Sequence, residues 1–281
     1  MTSILRGTLA VLALTSTVWL AAPAAAADDR ETCANESGDA AIAACTRAIN
    51  SGRYSGHELA VLLTNRCAEW PGRQEHDKAI EDCSQAIKLE PTAEAFSNRA
   101  HAYYAKDQYD RAIEDLNQAI RLSPNDADYF NNRGLAYDDK GQHDRAIEDF
   151  DHALRLNPDH ADVFYNRGNA YGHKDQYDRA IEDFNQAIRL KPDYASAFNN
   201  RGHAYVQQDQ YDRAIEDFSQ AIRLNPNDAL AFFGRASSWE LKLDLQRALA
   251  DYKKFAELAP SDPDGPKAIA RVTKRLGGRS R

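Results

Sequence analysis

Six prolines, Pro91, Pro124, Pro158, Pro192, Pro226 and Pro260, follow one another at intervals of 33, 34, 34, 34 and 34 residues. Each closes a copy of one segment, clearest as YDRAIEDFNQAIRLKP from Tyr177 to Pro192. Close copies end at Pro124 (YDRAIEDLNQAIRLSP), Pro158 (HDRAIEDFDHALRLNP) and Pro226 (YDRAIEDFSQAIRLNP), and weaker ones at Pro91 (HDKAIEDCSQAIKLEP) and Pro260 (LQRALADYKKFAELAP). A period of this length restricts the chain to a repeat array, in which each unit buries its apolar face by stacking on its neighbours.

Every copy carries two apolar patterns at helical spacing. Between Ala161 and Pro192, Phe164, Gly168 and Tyr171 mark a first helix, and Ala180, Phe184, Ala187, Ile188 and Leu190 a second. Asp178 stands near the start of the second helix, where a carboxylate can cap free backbone N–H groups. Pro192 ends that helix because proline cannot continue its hydrogen bonds. No stretch alternates with the period of a strand, so the fold predicted is all-α. Six full repeats span 60–92, 93–126, 127–160, 161–194, 195–228 and 229–262. Residues 28–59 form a partial repeat or cap whose first helix is expected over about Arg30 to Glu36. Residues 263–281 supply a capping helix and a basic tail, with Ile269, Val272 and Leu276 on the apolar face of Lys267 to Leu276.

The spacing of Phe164, Gly168, Tyr171, Ala180, Phe184, Ala187 and Pro192 resembles the tetratricopeptide repeat, and the pattern recurs in register. The resemblance implies a right-handed α-solenoid of helix-turn-helix repeats whose first helices line a concave groove that takes a protein or peptide segment. Arg66, Arg99, Arg133, Arg167, Arg201 and Arg235 depart from it, standing where the family usually has leucine. Cys83 replaces the second-helix aromatic, and Phe255 a small alanine.

Residues 1–27 read as a secretory signal: Arg6 precedes a mostly apolar stretch from Leu9 to Leu20, and Ala24 to Ala27 offers a small-residue cleavage site. An uncleaved anchor is the alternative, although the apolar core is short of the about 20 residues a span needs. The protein is therefore expected to be periplasmic or secreted, with no stable membrane insertion once the signal is cleaved. Export directs attention to Cys33, Cys45, Cys67 and Cys83, all in the first third of the chain. Four cysteines allow three disulfide connectivities. Local pairs, Cys33–Cys45 and Cys67–Cys83, would each tie a helical hairpin. A zinc site lacks its C-x-x-C signature here, and free buried thiols are the other alternative.

A formal net charge of -8 without a basic stripe argues against nucleic acid as the ligand. The sequence holds no Ser/His/Asp or Cys/His set, no H-E-x-x-H and no phosphate loop, so neither catalysis, a cofactor nor a metal is expected. His101 and His203 share a repeat position but lie too many repeats apart to share an ion, and His143 takes the place of Tyr177 and Tyr211. Gly134, Gly168 and Gly202 are expected to face Ala146, Ala180 and Ala214 across closely packed helices. Second-helix charges such as Arg179, Glu182, Asp183 and Arg189 read as a solvated outer face. Arg133, Arg167 and Arg201 fall among apolar positions and need carboxylates, for which Asp149, Asp183 and Asp217 are the candidates.

The candidate groove comprises Asn98, Asn132, Asn166 and Asn200 at one recurring position, with Asn131, Asn199, Tyr165 and Asn169 beside them. An amide both donates and accepts, which suits it to hold a peptide backbone or, equally, a neighbouring helix. Asp128, Asp138, Asp139 and Asp162 lie close by, so a neutral or cationic segment is expected. The function expected is a non-catalytic interaction scaffold of the periplasm or cell envelope. A self-assembling envelope component, or an enzyme or carbohydrate-binding accessory, are the alternatives; the oligomeric state is left open.

Overall fold

Two apolar stripes separated by a turn that cannot stay helical give each copy the form of a helix pair. A computed structural model describes residues 24–278, and the described residues form fifteen α-helices and one 3-10 turn, with no strand among them. Residues 1–23 of the expected signal and 279–281 of the tail lie outside the described residues. The opening hairpin is α1 (Ala24–Asn35) and α2 (Gly38–Asn50), and α3 (Gly56–Glu69) pairs with α4 (His76–Leu89). The array continues as α5 (Ala93–Tyr104) with α6 (Tyr109–Leu122), α7 (Ala127–Asp139) with α8 (His143–Leu156), and α9 (Ala161–His173) with α10 (Tyr177–Leu190). It ends in α11 (Ala195–Gln207) with α12 (Tyr211–Leu224), α13 (Ala229–Leu241) with α14 (Leu245–Leu258), and α15 (Asp264–Gly278). Among the described residues no helix is long and apolar enough to cross a membrane.

Two boundaries differ from expectation. Helix α1 already runs through Ala24, the first described residue, rather than beginning near Arg30; the alanines Ala24 to Ala27 are strong helix formers. Helix α3 starts at Gly56, ahead of Ala60, directly after Ser55 in extended backbone.

Both helices of each pair contribute to the core, and its most deeply buried rings come from the second helices. Phe150, Phe184 and Phe218 are almost fully buried at 0%, 2% and 0% exposure. Their rings, not the alanines, are what the first-helix glycines accommodate. A Cβ at Gly168 would lie 2.7 Å from the Phe184 ring, and one at Gly134 would lie 2.6 Å from Phe150. Each hairpin of the six full repeats closes with a Schellman turn: in the fourth, Gln176 N–H donates to the Tyr171 carbonyl and Asp175 N–H to that of Gly172. The left-handed residue this requires is Asp107, Asp175 or Asp209 (φ 56°, 56° and 58°), glycine once, Gly141, and Gln74 and Leu243 in the first and last full repeats. Aspartate tolerates that conformation better than most side chains.

Asp178 does not cap α10. Gln176 holds the cap position, and the Asp178 carboxylate accepts from Gln208 Nε2 at 2.7 Å in the next hairpin. The equivalent carboxylates Asp77, Asp110, Asp144 and Asp212 bind Lys106, Lys140, Lys174 and Lys242 in the same way. A residue expected to serve its own helix thus ties consecutive repeats.

The arginine series forms the expected inter-helix pairs and more. Arg167 grips Asp183 with Nε and Nη2 at 2.8 and 2.7 Å. Its third arm, Nη1, reaches Asp151 on the second helix of the preceding repeat. The fork recurs at Arg66, Arg99, Arg133, Arg201 and Arg235, whose Nη1 atoms reach Thr46, Ser84, Asn117, Asn185 and Ser219. Asp183 is therefore buried, at 4% exposure, rather than part of the solvated face. Burial opposes the charge on Arg167, but the hydrogen bonds and attraction of Asp183 and Asp151 together prevail and hold the guanidinium above its ordinary pKa. Arg167 also lies over Phe164 and Tyr171, at 5.6 and 5.9 Å from the ring centres.

The two ends are closed differently. Disulfides Cys33–Cys45 and Cys67–Cys83 join α1 to α2 and α3 to α4, the local pairing expected from the sequence. Cys67 and Cys83 occupy the places that Gly168 and Phe184 hold three hairpin pairs further on. At the other end, Ala268 and Val272 of α15 are buried against Tyr252 and Leu245. Glu240 of α13 fastens α15 by accepting from Arg271 and Arg275, at 2.8 and 2.6 Å, and from the Tyr252 hydroxyl at 3.0 Å. The Arg271 hydrogen bond leads in holding the Glu240 carboxyl below the usual glutamate range. Burial, with Glu240 adjacent, pushes the Tyr252 hydroxyl up to about 12.

Breaking one fork should expose the cost of a buried unpaired charge. Arg167→Met and Asp183→Leu should each destabilise by about 3–5 kcal/mol, and the double variant by clearly less than their sum. Urea denaturation of the four proteins measures this; additive losses would contradict it. The cap should respond to acid. Because the folded state depresses the Glu240 pKa, its contribution is complete above the usual glutamate range and is lost as pH falls through the lowered value. Hydrogen-exchange protection across residues 264–278, taken relative to the intrinsic exchange rate at each pH, should therefore fall between neutral pH and about pH 3, with Glu240→Gln weakening that dependence.

Candidate partner-binding groove

Consecutive first helices touch along the whole array, α3 with α5, α5 with α7, α7 with α9, α9 with α11 and α11 with α13, more closely than consecutive second helices do. The stack must bend toward the side where its elements are nearest, so the first helices line the inner face. Two cavities open on this face. The smaller, of about 190 Å³, lies between α5 and α7 and is lined by His101, Tyr104, Asn132 and Leu135. The larger, of about 470 Å³, runs across α7, α9 and α11 and takes in Asp138, Asp139, Asn169, His173, Asn200 and His203.

The expected groove residues divide in two. Asn132, Asn169 and Asn200 line these cavities. Asn131 and Asn199 are buried, and the amide of Asn166 donates to Asn131 Oδ1 at 2.9 Å in the preceding repeat. Asn200 likewise donates to Tyr165 Oη at 3.0 Å and to Asn169 Oδ1 at 2.8 Å. Helix-to-helix bonding, one of the two readings of the asparagine row, is thus present at Asn166 and Asn200, which keep their carbonyl oxygens for other partners. Asn98 Nδ2 is buried without a hydrogen-bond partner. Asp128 is exposed and accepts from His160 Nε2 at 3.1 Å. Asp162 is exposed near Tyr194, where burial first and the Asp162 carboxylate second hold the tyrosine hydroxyl far above its usual range.

The structure also assembles a group that repeat-position arguments passed over. Asp138 at the end of α7 is buried, with His143 Nδ1 at 2.6 Å from Oδ1 and His173 Nδ1 at 3.2 Å from Oδ2. His143 is thus more than a stand-in for tyrosine. The signal available in the sequence was the departure of both histidines from their neighbours' residues, thirty positions apart and yet adjacent across one repeat step.

Stacked helix pairs with an accessible inner face define an α-solenoid of the kind that presents an extended surface to other proteins. Residues 127–160, 161–194 and 195–228 match the tetratricopeptide repeat model and residues 100–141 a second model, TPR repeat. The chain belongs to the tetratricopeptide repeat family. Such proteins bind peptide or protein partners and generally act as non-catalytic scaffolds.

Among solved structures the chain is similar to one in the APC/C hetero-tetramer Cut9–Hcn1, with a TM-score of 0.69 at 20% identity, over 83% of this chain and 48% of that one. It therefore spans about half the length of that relative. A tetratricopeptide repeat protein from Parabacteroides merdae gives 0.64 at 19% identity over 83% and 91% of the two chains. YrrB, described as a TPR protein with an unusual peptide-binding site, gives 0.53 at 23% identity over 68% and 96%. These likenesses concern the fold. No curated protein matches the sequence.

Proposed function

We propose that the chain is an exported interaction scaffold of the cell envelope that holds a neutral-to-cationic protein segment along the inner face of α7, α9 and α11. The cavity of about 470 Å³ carries this reading, because it spans three consecutive first helices and places Asp138 and Asp139 beside the amides of Asn169 and Asn200. The Asn200 carbonyl, left open by the inter-repeat bonds, can accept from a segment's backbone, and the carboxylates favour lysine or arginine side chains and hasten their encounter. The peptide-binding site named for YrrB supports a bound segment as the cargo of this architecture. Export is supported by residues 1–27 and by the two disulfides, which persist in oxidising compartments.

Fluorescent peptides identical except for lysine, glutamine or glutamate at alternate positions test the site. The lysine series should bind tightest, more so at low salt, and Asp139→Asn combined with Asn200→Ala should weaken it several-fold. Arg189→Ala with Arg223→Ala is the matching outer-face control, since both arginines merely bond to glutamines on their own helices. Arg145, Arg179 and Arg213 are unsuitable because they stack on Tyr137, Tyr171 and Tyr205. Loss of binding in the outer-face variant but not in the folded groove variant would place the site elsewhere. Mass spectrometry of the exported protein should find a start at Ala27 or Asp28 and four hydrogens fewer than the reduced chain; a retained residue 1 or four alkylatable thiols would overturn export with oxidation.

A further inference from the structure

We infer that Asp138, His143 and His173 form a binding site for one divalent first-row transition-metal ion, bridging the repeats that span 127–160 and 161–194. The repeats are nearly uniform, so departures from uniformity carry information. Asp138 stands where the neighbouring copies have Tyr104, Gly172 and Val206. His143 stands where they have Tyr109, Tyr177 and Tyr211, and His173 where they have Ala105, Asp139 and Gln207. These three departures come from three different helices, α7, α8 and α9, and converge on one point, with their ligand atoms all within 4.8 Å of one another.

The donor geometry suits a small ion. Metal–nitrogen and metal–oxygen bonds of about 2.0–2.2 Å in a tetrahedral site put neighbouring ligand atoms about 3.3–3.6 Å apart. His173 Nδ1 already stands 3.4 Å from Asp138 Oδ1, the oxygen that His143 also approaches. His143 Nδ1 and Asp138 Oδ1, at 2.6 Å, would open by less than the length of a bond as the hydrogen bond gives way to the ion. Two imidazole nitrogens and one carboxylate oxygen are the ligands of a borderline ion such as zinc, nickel or copper, whereas calcium and magnesium demand oxygen throughout.

Burial and charge argue the same way. Asp138 is only 8% exposed, and among the described residues no lysine or arginine pairs with it. A buried carboxylate is costly unless compensated, and a dication shared with two imidazoles compensates it fully. Asp138 and His173 also line the larger inner-face cavity, which has room for a water as the fourth ligand. The site is thus of the open type, with three protein ligands.

The experiment is a calorimetric titration of the full, untagged chain with zinc chloride, alongside cobalt(II) absorption as a report of ligand geometry. The expected result is one zinc per chain and cobalt bands of a four- or five-coordinate centre. The double variant His143→Tyr, His173→Gln installs residues that adjacent copies already carry, and should weaken zinc at least about 100-fold and abolish the bands. Asp138→Asn keeps the shape of the cluster and should weaken zinc about tenfold or more, which preserves the test if the double variant misfolds. His57→Gln, on an exposed histidine outside the cluster, should leave binding unchanged. Absence of stoichiometric binding by the parent chain, or parental affinity in either cluster variant, would show a hydrogen-bonded cluster only and overturn the inference.

Discussion

The three-armed arginine is the contact on which the array depends. One guanidinium joins a first helix to its own partner through two parallel bonds to a carboxylate, as Arg167 does with Asp183, and to the second helix of the preceding repeat through its remaining arm. A leucine there could fill space but could not fix direction. Planar, two-pronged recognition fixes both the distance and the rotation between helices. Repeated at six successive positions from Arg66 to Arg235, it makes the hairpin angle and the repeat-to-repeat step nearly one and the same quantity.

Around that frame the chain solves one packing problem in two chemistries. In the middle repeats a phenylalanine ring lies against glycine, as Phe184 does against Gly168. At the start of the array a disulfide, Cys67–Cys83, occupies the same two places. The two disulfides lie in the first two hairpins of the array, where a covalent link holds each helix pair without a bulky ring between its helices.

Most of this architecture was legible because the repeat multiplies every signal. Pro91 to Pro260 set the period, the Phe150 series the buried face, and the Arg133 series was matched to Asp149, Asp183 and Asp217 by spacing and the cost of burying a charge alone. What escaped was whatever depends on where one repeat meets the next. Asp178 reads as a helix cap until the step places Gln208 beside it, and Gly168 reads as a partner for Ala180 until the Phe184 ring is seen to cover it. Asn166 and Asn200 offered two uses in the sequence, and the structure shows one of them occupied. His143 and His173 belong to different copies, so no argument confined to one repeat position could bring them to Asp138.

The unequal closure of the two ends gives the molecule a polarity that its uniform repeats conceal. Covalent links hold α1 to α2 and α3 to α4, while α15 is held by one glutamate, two arginines and a small apolar face. In a one-dimensional stack, opening spreads from whichever terminus lets go first. Wear will therefore run backwards along the chain, from α15 toward the cysteines. A protease or a pulling force would leave a ladder of fragments that share an intact beginning and differ by whole repeats at the other end.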